Sequence, residues 1–522
     1  MATRRSKKAP PGPPVPQAVV EDTDSNPLVH PTTREAVTVV HLAAELAPFA
    51  RTGGLGEAVD SLAHFQARVG LNVIIIFPLY KQVLDVATDL EPVGEKFPVV
   101  VGPRTEEAQV FESRALKKNP SQGKPRILFI ANAQYFNRDQ IYGDARGDYG
   151  DNHRRYAFFC LAALSILPNV ATAPVLLHAH DWHMALAPIY LRTYDTGREF
   201  FRRTSSVLTV HNAGFQGHFR PEVLPDIGLP WDIYNFQQLE WYGRVNLLKG
   251  GMAFADAVTT VSPSHAHELR TPAGGFGLHE HFIALRERFV GIVNGIDQGE
   301  WDPETDPHIT TRFSKDDLSG KKRCKTALQR IFGLPQRART PIFGMSARMV
   351  YQKGLDLILD SPQFLSLDAQ FLFLGQGEKR YIDALTELAQ RAPGRIGVQT
   401  NFTSRAEHRL LAGADILTMP SQYEPCGLTQ MRAQRYGALP VGRKVGGLAD
   451  TIEDGITGFL FDSFTTKDFL SACVRAIDHY HHTGVWQTMQ REAMSRDFGW
   501  ERSASKYLDL YRRVLLSPRF PR

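Results

Sequence analysis

The chain is short of several things, and each shortage excludes a class of protein. Its 522 residues hold four cysteines, Cys160, Cys324, Cys426 and Cys473, none in C-x-x-C spacing. A disulfide scaffold and a cysteine-type zinc ribbon are thereby excluded, and a reducing compartment, the cytoplasm, is expected. Charge of one sign is scarce: the net charge is +5, and no Lys/Arg stripe follows the first residues, so no nucleic-acid partner is expected. G-x-x-x-x-G-K-[ST] is missing, and Gly375-Gln-Gly377 lacks the third glycine of a dinucleotide fingerprint. Long apolar runs are missing too. The uncharged stretch from Tyr156 to Leu177 is broken by Pro168, Asn169 and Pro174 into helix, loop and strand, so no membrane segment is expected. The first residues are basic, then Pro-rich and acidic, without an apolar core. Residues 1–35 are accordingly expected to form a disordered tail rather than a signal or a transit peptide.

What is present is ordinary globular material, 43% hydrophobic and 22% charged, long enough for two to four domains. From Val37 a short β-branched run, a turn and a helix-periodic segment alternate. Strands are predicted at 38–42, 73–77, 126–130, 175–178, 206–210 and 257–261. A second group is predicted at 291–293, 341–345, 370–374, 397–399, 415–419, 440–442 and 458–461. Continuous apolar strands alternating with helices indicate parallel sheets covered on both faces, an α/β class with two doubly wound domains. The seam falls in the Gly/Pro/His-rich stretch 271–281 or in the loop closing at Gly291.

Several clusters carry chemistry. Arg51-Thr-Gly-Gly-Leu-Gly-Glu57 and Lys444-Val-Gly-Gly-Leu-Ala-Asp450 echo one another, each a double glycine opening a helix. Either pair, Gly53 and Gly54 or Gly446 and Gly447, reads as a plain strand-to-helix turn or as a phosphate cradle of free N–H groups. One copy in each half favours a phosphate-bearing ligand between two domains. His178-Ala-His180-Asp181-Trp-His183 ends a buried strand, with both imidazoles of H-x-H on one face. Metallohydrolase spacing and a second ligand cluster are both missing, so no metal is expected and these side chains read as substrate hydrogen-bonders. Scaffolding is the competing reading for His178 and His183. Val210-His211-Asn212 sets another histidine at a strand end. Arg348 and Lys353, in Ser346-Ala-Arg-Met-Val-Tyr-Gln-Lys-Gly354, form a diphosphate clamp or a solvated basic loop. Glu424, before a helix, is a ligand carboxylate or a helix-dipole partner. Cys426 has no base beside it and reads as packing.

Taken in order, RTGGLGEAV, HAHDWH, VHNAGFQG, NLLKGGMAFADAVTTVSP, GIVNGID, ARMVYQKGLDL, EPCGLTQ and KVGGLAD resemble the bacterial glycogen synthases and plant starch synthases. The resemblance runs from about Val37 to Tyr511. It implies a GT-B fold, two Rossmann-like domains facing each other across a deep cleft. The expected division is 36–285 and 286–495, with 496–522 crossing back to the first domain. It further implies transfer of glucose from ADP-glucose to the non-reducing end of an α-1,4-glucan, with retention and without metal or cofactor. By motif, His211 and Asp181 line the donor-glucose pocket, Glu424 bonds the sugar, and Arg348 and Lys353 hold the diphosphate. Gly53, Gly54, Gly446 and Gly447 lie against the donor, and Phe402 falls where the family often stacks a Tyr on adenine. Arg51, His180, Asn212, Asn294, Cys426 and Gly427 complete the expected substrate-binding set. The family usually has Lys at position 51 and Thr at position 445, where this chain has Arg51 and Val445. These departures leave UDP-glucose, a small acceptor, or a catalytically weak glucan binder as alternatives.

Overall fold

A computed structural model describes residues 27–114, 123–194 and 199–516. The first 26 residues of the expected tail, and 517–522, lie outside the described residues. Two sheets carry the fold. The first has nine strands in the order Phe289–Gly291, Ala257–Thr260, Thr204–Val210, Val175–His180, Thr38–Leu42, Asn72–Pro78, Arg126–Ala131, Arg104–Ser113 and Leu90–Val101. The second has six parallel strands: Ile396–Gln399, Gln370–Leu374, Ile342–Ser346, Ile416–Met419, Leu439–Arg443 and Phe459–Phe461. The central strands are buried along their whole length, as sheets covered by helices on both faces require.

In each sheet the chain winds outward in one direction, returns to the middle and winds the other way. The reversal lies between Thr38–Leu42 and Val175–His180 in the first sheet, and between Ile342–Ser346 and Ile416–Met419 in the second. Loops leaving two adjacent carboxyl ends diverge at such a point and open a crevice.

Four expectations are corrected. The short strand at 289–291 pairs in parallel with Ala257–Thr260, so it belongs to the first sheet rather than the second, and the first domain runs past 285. Three residues hold too little pattern to announce their partner, and the seating is tertiary: a Cβ on Gly291 would lie 2.2 Å from the Ser262 carbonyl oxygen. Residues 27–35 are not tail, since Val29 bridges Ala36 and Leu28 is buried in the first core. The helix Asn152–Val170 passes through Pro168, which falls in its last turn, where the ring disturbs one bond near the end. The antiparallel hairpin of Leu90–Val101 and Arg104–Ser113 mixes charged with apolar residues, because it is half-exposed at the sheet edge.

The chain passes between the domains twice, side by side. Ile296 N–H donates to the Phe498 carbonyl at 2.8 Å, and Ser503 Oγ–H donates to that of Val293 at 2.5 Å. The helix Trp500–Leu516 then seats Tyr507, Leu510, Tyr511 and Val514 in the first core. Gly295 permits the close passage, because a Cβ there would sit 2.8 Å from Trp500 Cα. Gly295→Ala is expected to lower Tm by roughly 3–8 °C in calorimetry. Gly484→Ala, whose Cβ enters open space, is expected to leave Tm unchanged or slightly raised.

Candidate active site

On the first sheet, register builds the site. His41 lies opposite His178, and His180 opposite Thr209, with His178 and His180 two residues apart on one strand. Alternation therefore sends all four side chains to the same face. His41 Nδ1 meets His180 Nε2 at 3.0 Å, and His180 Nδ1 meets His211 Nε2 at 3.0 Å. At the far end, His41 Nε2 meets Gln66 Oε1 at 2.8 Å. His178 bonds the Tyr511 hydroxyl at 2.8 Å and Thr209 at 2.6 Å. His41, His178 and His180 are close enough to hold a metal ion, yet their ring nitrogens are already engaged with these partners. Burial keeps the row neutral: His41 is pushed down to about 4, His211 to about 3, and His178 and His180 well below the usual imidazole value.

Asp181 follows this strand in the left-handed region, φ 57°, which Asp tolerates better than most residues. Its carboxylate accepts the His211 N–H at 2.7 Å and the Asn212 N–H at 3.4 Å, tying two strand ends together. Burial nevertheless pushes the carboxyl up to about 7. Glu45, just after the Thr38–Leu42 strand, is a residue that motif reading missed. Buried, it accepts Thr52 N–H at 2.8 Å, Gly53 N–H at 3.0 Å, and hydroxyls of Thr52 and Tyr142 at 2.7 and 2.8 Å. The Gly53 N–H therefore serves the loop itself. The signal was one acid in the apolar run after a strand; His41 was a similar lone polar residue within one.

On the second sheet, Lys353 Nζ lies 2.6 Å from Glu424 Oε2, which also accepts the Ser421 hydroxyl at 3.0 Å. Gly354, φ 72°, lets this loop pass under the next strand end, where a Cβ would be 1.9 Å from the Pro420 oxygen. Arg348 is exposed, and its guanidinium makes no hydrogen bond or ion pair among the described residues. At the double glycine 446–447 both N–H groups meet protein acceptors. Gly446 N–H donates to the Glu268 carboxylate at 2.7 Å, and Gly447 N–H to the Glu424 carbonyl at 3.0 Å. Both glycines are there because a Cβ at either would lie 2.0 Å from the Glu424 or Cys426 carbonyl oxygen. Cys426 is buried, its thiol pushed up to about 12 by desolvation, so it is no thiolate. Gly427, at φ 69°, packs on Gln430, Asn294 is buried, and Phe402 is exposed beyond the Ile396–Gln399 strand.

Contacts between the two carboxyl ends bring these halves together. Ser262 Oγ–H donates to the Pro425 carbonyl at 2.7 Å, and Ser264 donates through N–H and hydroxyl to Asp450 at 2.9 and 2.7 Å. A Cβ on Gly54 would lie 3.7 Å from Leu428. Tyr423 lies edge-on to Phe276 at 5.1 Å, and a Cβ on Gly214 would lie 3.1 Å from its hydroxyl. Arg432 pairs across the interface with Glu57, which also holds Arg51 at 3.4 Å.

Two doubly wound domains with facing carboxyl ends, polar residues at both reversal points and a helix returning to the first core define a GT-B glycosyltransferase. Residues 38–284 match the starch synthase catalytic domain family, and 340–479 match the glycosyl transferases group 1. A glycogen synthase of Thermodesulfovibrio yellowstonii is 39% identical over 486 residues, covering 91% of this chain and 97% of that one. One from Anaeromyxobacter dehalogenans is 38% identical over 481 residues, 91% and 98%. The catalytic domain of starch synthase IV from Arabidopsis thaliana, bound to ADP and acarbose, superposes with TM-score 0.83 at 32% identity, covering 92% of this chain and all of that one. The chain belongs to the glycogen and starch synthase family. It is a glycosyltransferase that moves sugar from a nucleotide donor to a glucan. Among the described residues no helix is long and apolar enough to cross a membrane.

Asp181 gives a pH prediction. Folded, its carboxyl titrates at about 7; unfolded, at about 3.9. The native state holds the proton more tightly, so this group costs stability as pH rises from about 4 to about 7, with no further change above. Asp181→Asn keeps an acceptor for the His211 N–H. Calorimetry is expected to find Tm raised by a few degrees at pH 8 and unchanged at pH 4, while transferase activity falls.

Proposed function

We propose that the enzyme transfers glucose from ADP-glucose to the non-reducing end of an α-1,4-glucan, with retention of configuration. What supports this is the Lys353–Glu424 pair at the strand ends of the second sheet and the Asp181–His211 contact at those of the first. Asn212 and Tyr423, neighbours of His211 and Glu424, both lie against Gly214. A starch synthase of the same fold, solved with ADP, supports the choice of nucleotide.

In this reading Arg348 and Lys353 take the diphosphate, one as a planar fork and one as a point charge, and stabilise it as the sugar departs. Phe402 lies under the adenine, and Arg51, Gly53 and Gly54 surround the donor from the first domain, with His180 behind His211. Asp181 and the uncharged His211 offer hydrogen bonds to the glucosyl hydroxyls. Glu424, bound by Lys353 and Ser421, is a sugar-binding carboxylate rather than a nucleophile. Retention then follows front-face attack, in which the acceptor hydroxyl loses its proton to the departing phosphate oxygen, without a glucosyl-enzyme.

Incubation with labelled ADP-glucose or UDP-glucose and glycogen tests the proposal. Incorporation with matching release of ADP is expected, greater than from UDP-glucose; incorporation from neither donor overturns it. Arg348→Ala and Lys353→Ala are each expected to lower kcat by about 10²–10³. Trapping of a glucosyl-Glu424 adduct would overturn front-face attack. Arg51→Lys is expected to change donor kinetics; unchanged kinetics would make Arg51 peripheral.

A further inference from the structure

The histidine row has a direction. Gln66, wholly buried on the helix Leu55–Arg68, donates its amide N–H to the Tyr511 hydroxyl at 3.0 Å, which turns its carbonyl oxygen toward His41 Nε2. An oxygen there requires the proton on His41 Nε2. In a neutral ring Nδ1 is then bare, so it accepts from His180 Nε2–H. By the same step His180 Nδ1 is bare and accepts from His211 Nε2–H. Each tautomer is dictated by the one before it, and the end of the row is His211 with Nε2 protonated and Nδ1 an acceptor.

A second branch leaves the same origin. The Tyr511 hydroxyl, accepting from Gln66, donates to His178 Nδ1, whose Nε2–H then donates to the Thr209 hydroxyl. All of these groups are buried apart from the partly buried His211. Leaving a buried polar group unpaired is costly, and reversing one bond would unpair another along the row. Tyr511 lies on the helix that returns from the second domain, so the arrangement is complete only when that helix is docked.

We propose that Gln66, His41 and His180 are positioning residues that set the tautomer of His211, with Tyr511 coupling that setting to the returning helix. His211 Nδ1 is thereby presented as an acceptor for a sugar hydroxyl. The proposal rests on the reading of His211 as a donor-pocket residue.

Ring-15N-histidine labelling of the full chain, with His211 assigned from His211→Gln, tests the tautomer directly. The expected spectrum has His211 Nε2 protonated and Nδ1 unprotonated; the reverse, or a mixture, overturns the proposal whatever the variants do. Gln66→Leu is expected to lower kcat by roughly tenfold or more with donor KM changed less than twofold, and to mix the His211 tautomers; a wrongly held catalytic imidazole can cost up to about 10⁴. Gln66→Glu, whose carboxylate accepts the same His41 bond, is expected to restore most of the rate. A folded Gln66→Leu with wild-type kcat and an unmixed tautomer overturns the proposal. His211→Ala separates the two readings: if it keeps full activity, the donor-pocket reading fails, whereas loss in His211→Ala with no loss in Gln66→Leu defeats the relay alone.

Discussion

A strand buried on both faces has no water to satisfy a polar side chain, so such groups must either gather at the strand's end or pair completely inside. Both outcomes are present here. Asp181, His211, Arg348 and Glu424 emerge where strands stop, and the reversal in winding of each sheet spreads the loops that bear them. Polar side chains that remain within strands, His41, His178, His180 and Thr209, are stacked in register and bonded to one another. The same burial keeps the imidazoles uncharged and raises the Asp181 carboxyl.

The halves of the site are rigid for different reasons. In the first domain the acid side chains of Glu45 and Asp181 gather backbone N–H groups and fix two loops. In the second, close backbone passage does the same work, with Gly354, Gly446 and Gly447 admitting carbonyl oxygens where any side chain would collide. The seam joins them by polar contacts from Ser262, Ser264, Glu268 and Arg432. A transferase handling a charged donor beside water gains from such a site, since its groups are held before the ligand arrives.

Much of the fold was legible from pattern. Buried parallel strands such as Gln370–Leu374 are apolar throughout and stand out against their helices. The edge hairpin at 90–113 was not legible, because half-exposed antiparallel strands mix charge with apolar residues. In the site, motif residues at strand ends were legible and the groups behind them were not. Glu45 and His41 are single polar residues within apolar runs, and Gln66 is one of several polar residues on its helix. The partners of Gln66 and His41 lie elsewhere in the chain. The double glycine at 446–447 was legible as a close approach, but not which protein carbonyls it approaches.

Composition and local periodicity by themselves determined an α/β chain in two halves, with its polar chemistry at strand ends, because hydrophobic pattern and turn glycines act over a few residues. The tertiary structure alone decided which strand joined which sheet, that Gly446 meets Glu268, and that Tyr511 reaches the histidine row from the far end of the chain. Those are contacts between distant segments, set by packing of whole elements, and no short stretch of sequence contains both partners.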